Sequence, residues 1–194
     1  GVAQVRAARE AIGPDVKLTM DTNCPWTVDQ AIGMAKQLRP FALAWFEEPV
    51  FPPEDFTGLA KVRKEGGIPI AAGENALSAV NFEQMFDAGA VDFAQPSVTK
   101  IGGVSEMMRI VRLARDRGVK LVPHSPYFGP GLLVTIHIAA AMEVETTIEY
   151  SFAELGGNLL GDSIAVRGGR IAVSTEPGLG RDPDPQVIEQ YRVN

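Results

Sequence analysis

The chain is short of several residue types, and each shortage excludes something. It has one cysteine, Cys24, so no disulfide can form within it. That suits a reducing compartment, and a cytoplasmic location is expected. Positive charge is in the minority. Lys and Arg number 18 against 24 Asp and Glu, a formal net charge of -6. Nucleic-acid surfaces are usually basic, so no nucleic-acid partner is expected. No run of about 18 apolar residues occurs, so neither a membrane-spanning helix nor a membrane partner is expected. Histidine is scarce: there are two, His124 and His137. The opening GVAQVRAAREAIG reads as the tail of an amphipathic helix rather than a secretory leader. Upstream sequence is expected before it.

What remains is an ordinary globular composition, 45% hydrophobic and 22% charged, enough for one sizeable core. Six short apolar runs end on polar residues: VKLTMD, ALAWFE, IPIAAGE, VDFAQPS, VKLVPH and TTIE. Their last residues, Asp21, Glu47, Glu74, Ser97, His124 and Glu149, recur at intervals of 23 to 27 residues. One βα unit of an eight-stranded barrel takes roughly 25 to 30. Helical patterns fill the gaps. Thr27 and Gln30 form a capping box opening a helix toward Leu38. Further helices are expected over 53–65, 79–88, 104–117 and 132–144. Val104, Met107, Met108 and Val111 set one apolar face of the fourth. The fifth is apolar almost all round, which implies deep burial.

Strands alternating with helices imply a parallel sheet with right-handed crossovers. A doubly wound sheet shares that alternation, but it gathers its site at one switch point. Here all six run ends carry a polar residue, as at the C-terminal face of a barrel. The expected fold is therefore α/β, a (β/α) TIM-type barrel, with six of its eight strand units in this chain and two before Gly1. Residues 1–155 are assigned to this partial barrel. The Gly-rich remainder, 156–194, is expected to fold back on it as a C-terminal extension with short strands over 164–166 and 170–173.

Asp21, Glu47 and Glu74 end three consecutive runs. Neighbouring strands lie about 4.8 Å apart, so the three carboxylates can converge. Unpaired, they repel and raise one another's pKa. A hard divalent cation such as Mg2+ removes that conflict, because it takes oxygen ligands. Solvated loop acids or helix caps are the alternative reading of the same spacing. In FEEPV, Glu47 is assigned inward, in register with the other two. Glu48 is expected to point away into a structural hydrogen bond or salt bridge.

DTN (21–23), FEEP (46–49), AGEN (72–75), QPSVTKIGG (95–103), PHS (123–125) and PGLG (177–180) together resemble the enolase superfamily, in its mandelate racemase-like branch. The resemblance covers nearly the whole chain. It implies that Asp21, Glu47 and Glu74 hold Mg2+. It also implies abstraction of a proton α to a carboxylate, through an enediolate. His124 is the candidate base, since imidazole titrates near neutrality. The branch usually has an aspartate where Ser97 stands. A hydroxyl can hydrogen-bond imidazole but cannot stabilise its cation. The usual dyad is therefore absent, and His124 must find another acidic partner, serve as an acid, or be weakly active. Glu149 falls where the family has a glutamate that bonds the enediolate or the substrate carboxylate. A surface or salt-bridged glutamate reads equally well there. Lys100 is either a cation beside the metal carboxylates or a solvated loop lysine. Asn23, Tyr127 and Phe128 are candidate substrate contacts. Asn23 and Asn75 can also orient ligand carboxylates, and the two aromatics can also be packing. His137, inside LLVTIHIAAA, reads as a packed or surface helix residue.

The resemblance places a capping domain, and the family's other usual base, before Gly1. The activity it implies is dehydration of an acid sugar or related hydroxy acid. Racemisation or epimerisation and cycloisomerisation are alternatives. A catalytically impaired homologue that binds an acidic ligand is a fourth, favoured by Ser97. The expected partners are a small carboxylate substrate and further copies of the chain.

Overall fold

Helices begin where the sequence supplies an oxygen for their first free N–H groups. The computed structural model describes residues 1–144 and 146–193. The chain opens with α1 (Val2–Ile12), β1 (Leu18–Asp21) and α2 (Val28–Leu38). In α2 the capping box forms as expected, with Thr27 Oγ1 accepting from Gln30 N at 3.4 Å and Gln30 Oε1 accepting from Thr27 N at 3.0 Å. β2 (Leu43–Glu47) and α3 (Phe56–Gly66) follow. α3 starts three residues later than expected, because Asp55 is its cap and accepts from Gly58 N at 2.8 Å. Next come β3 (Ile70–Ala72), α4 (Ala79–Asp87), β4 (Phe93–Ala94), α5 (Val104–Arg117), β5 (Lys120–Leu121) and α6 (Pro130–Ala141). α6 starts two residues before the expected Leu132, since Pro130 suits the first turn, and it stops at extended Met142.

The five strands form one parallel sheet in chain order, β1-β2-β3-β4-β5. The alternation thus gives the expected barrel arc. The sixth run, TTIE, is a departure. Thr146–Glu149 carries no strand and is tied to the β5 end by side chains. Thr146 Oγ1 donates to Leu121 O at 2.5 Å, and Ser125 Oγ donates to Glu149 O at 2.7 Å. Beyond β5 the chain runs through Pro123 and Pro126, which have no N–H for a ladder.

Two packed clusters hold the fold. The larger joins the sheet to α2–α5 and includes the fully buried Phe46, Ile70, Phe82, Met107 and Ile110. The smaller joins Leu132, Leu133 and Ile136 of α6 to Leu160 and Ile164. Ile138 belongs to the larger cluster, so α6 is apolar all round because it is covered on both sides. After α6 come a hairpin of β6 (Val166–Arg167) and β7 (Arg170–Ile171), then α7 (Pro185–Gln190). The strand expected over 164–166 begins only at Val166, because Gly161–Ile164 winds into a 3-10 turn. The one expected over 170–173 stops at Ile171. α7 was legible in Asp184-Pro185, a capping acid followed by proline at the first helical position. Among the described residues no helix is long and apolar enough to cross a membrane.

Candidate active site

The carboxylates meet at the C-terminal end of the sheet by two different devices. Asp21 and Glu47 are direct register partners across β1 and β2. Their side chains therefore share one face. Glu74 does not follow from register, because the residue opposite Glu47 is Ala71. Three positions further on, a continuing strand would aim Glu74 at the other face. Gly73 breaks the strand at φ 131° and turns Glu74 back. A Cβ on Gly73 would lie 2.7 Å from the Phe82 ring, so a side chain is excluded there on steric grounds too. One oxygen from each of Asp21, Glu47 and Glu74 then lies within 4.8 Å of the others. Oxygens gathered that closely would share one hard cation after an inward adjustment of the side chains. Three hard oxygen donors suit Mg2+ and not a soft metal.

Each carboxylate is held. Asp21 accepts from Asn23 twice, from N at 3.0 Å and from Nδ2 at 2.7 Å. The Asn23 amide thus holds Asp21, which fits the orienting reading of this residue. Glu47 is buried and accepts from Trp45 Nε1 at 2.8 Å. Burial raises its pKa, and bonds from Gln95 and Trp45 only partly offset this. Trp45 was findable from sequence, two residues before Glu47 on the same strand face. Gln95 is fully buried, and among the described residues its Oε1 has no hydrogen-bond partner.

His124 lies across the site, with Nδ1 3.0 Å from Glu74 Oε2 and 3.1 Å from Glu149 Oε2. Nδ1 lies between the two oxygens, so the ring is held to both carboxylates by charge and by hydrogen bonding. Burial works against the imidazolium, but Glu149 and Glu74 outweigh it and push the pKa up to about 9. In return His124 draws the Glu74 carboxyl below its ordinary value, and the exposed Lys100 adds to this. The acidic partner missing at Ser97 is thus supplied by Glu149 and Glu74. Ser97, fully buried, instead bonds the Tyr127 hydroxyl and sits 3.2 Å from Thr99 Oγ1. Tyr127 meets His124 edge-on, with centroids 6.0 Å apart. Phe128 is half-buried on the same loop. His137 is remote and faces Leu179 O at 3.3 Å.

Residues 1–187 match the family described as enolase C-terminal domain-like. Arabinonate dehydratase of Saccharolobus solfataricus is 32% identical over 98% of this chain and 51% of its own length. D-galactarolactone cycloisomerase of Agrobacterium fabrum is 33% identical over 97% of this chain and 52% of its own. Among solved structures, L-talarate dehydratase from a Polaromonas species, complexed with Mg and L-glucarate, matches with a TM-score of 0.85. It is 32% identical, covering 99% of this chain and 51% of that one. A mandelate racemase/muconate lactonizing enzyme-like protein from Rubrobacter xylanophilus matches with a TM-score of 0.91 and 33% identity, over 99% of this chain and 50% of that one. The chain spans about half the length of these relatives. The partial barrel, its carboxylates and these matches agree that the chain belongs to the enolase superfamily, among the mandelate racemase/muconate lactonizing enzyme-like proteins.

Proposed function

We propose that this chain carries the metal and acid–base residues of a Mg2+-dependent enzyme that removes a proton α to a carboxylate. The most suitable reaction is dehydration of an acid sugar. The observation that carries this reading is the meeting of Asp21, Glu47 and Glu74 within 4.8 Å, with His124 against Glu74. Asp21, Glu47 and Glu74 would hold the ion. Bound there, Mg2+ supplies positive charge to a substrate carboxylate, which acidifies the α-proton.

The chain's own residues do the rest. Asn23, Trp45 and Gln95 keep two of the ligands aimed. His124 is the acid–base group. The two carboxylates beside it stabilise the charged ring; as imidazole it takes the α-proton, and as the imidazolium so formed it delivers a proton to the departing hydroxide. Glu149 is nearly half exposed and keeps that charge balanced. Tyr127 stands edge-on to the ring and presents a hydroxyl braced by Ser97, and Phe128 follows it on the same loop as a further substrate contact.

Cycloisomerisation is the second reading. A relative named as a cycloisomerase matches as well as one named as a dehydratase. The two reactions share the proton abstraction and differ in the group expelled.

The test is Mg2+-dependent exchange of the α-proton with solvent deuterium over a panel of aldonates, aldarates and their lactones. Exchange is expected with wild type, and a loss of at least about 100-fold with His124→Asn, the scale of acid–base contributions. No exchange on any acid, or full exchange in the variant, overturns the reading. Water release or lactone opening on the active substrate separates the two reactions.

A further inference from the structure

The second glutamate of the FEEP motif has no part in the chemistry above, yet it is the more deeply buried of the pair, at 3% exposed against 8% for Glu47. A carboxylate is costly to bury, so its contacts need an explanation. All of them run to the loops that carry the other two ligands. Oε1 accepts from Gly73 N at 2.9 Å, and the Asn75 side chain also donates to this carboxylate. Gly73 and Asn75 flank Glu74 on both sides. Oε2 accepts from Cys24 Sγ at 3.1 Å. Cys24 lies just beyond Asn23, which clamps Asp21. Burial and the neighbouring Glu48 keep that thiol protonated and therefore a donor. The backbone repeats the connection. Cys24 N donates to Glu48 O at 2.6 Å, and Thr22 Oγ1 donates to Glu47 O at 2.9 Å.

We infer that Glu48 is a positioning residue that sets the spacing of Asp21, Glu47 and Glu74 by tying all three ligand loops to one buried carboxylate. Glu47 is its chain neighbour, Glu74 is held through Gly73 and Asn75, and Asp21 is held through Cys24. Both carboxylate oxygens are occupied by donors, so Glu48 is not itself a ligand. The backbone is arranged around this contact. Asn23, Cys24 and Glu48 have φ of 52°, 55° and 44°, left-handed conformations that are strained for a residue with a side chain. Three such residues at one place persist because the surrounding bonds over-determine them. The same placement explains why Cys24, the chain's lone thiol, is turned inward beside the acids.

This inference rests on the triad being a divalent-cation site, and the test separates the two. Mn2+, which shares Mg2+'s oxygen preference, is titrated into the protein and the free ion counted by electron paramagnetic resonance. Apo melting is followed in parallel. Glu48→Leu removes the acceptor at similar volume and is expected to weaken Mn2+ binding 10- to 100-fold, the usual effect of losing an outer partner of metal ligands. Glu48→Gln keeps an oxygen for Gly73 N and is expected to stay within about threefold of wild type. A folded Glu48→Leu that binds Mn2+ as wild type does would sink the positioning role, as would a Glu48→Gln as weak as Glu48→Leu. Should Glu48→Leu fail to fold, Cys24→Ala decides. It removes one donor, and a several-fold loss of affinity with an unchanged apo melt is expected. Unchanged affinity overturns the inference. Wild type that takes up no Mn2+ overturns the cation site itself.

Discussion

Burial raises the Glu47 carboxyl above its ordinary value, and the Asp21 charge adds to the shift. Its folded pKa therefore exceeds its unfolded one. Its contribution to stability is complete below the unfolded value and is lost as pH rises through the folded one. A divalent ion reverses the preference, because it binds only the ionised form. Protons and metal thus compete for Glu47. Mg2+ affinity is expected to fall by roughly tenfold per pH unit below that raised pKa. Its stabilisation of the fold should grow as pH rises through the range in which Glu47 ionises. Calorimetric titration across that range checks this, and an affinity flat with pH refutes it. Glu47→Gln is expected to lose both Mg2+ affinity and its pH dependence while the fold survives. Wild-type affinity in that variant would remove Glu47 from the ligands. The sequence made Asp21 and Glu47 legible because both end strands in register. Glu74 met them for a reason that register does not contain, the turn at Gly73. The roles of Asn23, Trp45 and Gln95 were less legible, since hydrogen-bond commitments depend on orientation and not on spacing.

Helices α2 and α3 pack closely, and two glycines of α3 allow it. A Cβ at Gly58 would lie 2.5 Å from Val28 Cγ2 and 2.2 Å from Asp55 Oδ2. At Gly66 it would lie 2.9 Å from Ala35 Cβ. Glycine inside a helix ordinarily costs about 1 kcal/mol relative to alanine. Here the sign is reversed. Val28 is β-branched with few rotamers, and Asp55 is already fixed as the α3 cap. Gly58→Ala is therefore expected to destabilise the protein by about 1 to 3 kcal/mol, the usual cost of overpacking. Urea denaturation measures it, and a gain in stability would mean that the helices separate freely. Element order and type were legible from periodicity and caps. Boundaries moved where a cap competed, as Asp55 did with Pro53. The short strands β3 to β5 were marked by the polar ends of their runs more than by their length. TTIE had the composition of a strand, but the prolines beside it leave fewer ladder donors, which its own residues do not reveal.

At the scale of the whole molecule, α6 joins two cores that were not separable in the sequence. Its all-round apolarity called for deep burial without naming the second cover. That cover is the chain after residue 155, through Leu160 and Ile164. Leu160 is fully buried against Leu132, Leu133 and Ile136, while none of Asp21, Glu47 or Glu74 belongs to this cluster. Stability and metal binding should therefore respond independently. Leu160→Ala is expected to cost about 2 to 5 kcal/mol through lost contact and the cavity left behind. For a chain of this size that lowers the melting temperature by roughly 5 to 15 °C. Mn2+ affinity of the folded variant is expected to stay at the wild-type value, because the ligands rest on β1, β2 and the Gly73 turn. Besides α6 itself, Tyr127 connects the regions, since it packs against both clusters and bonds Ser97. If Leu160→Ala weakened Mn2+ binding as well as the melt, Tyr127 would be transmitting the loss, and the two cores would have to be treated as one cooperative unit.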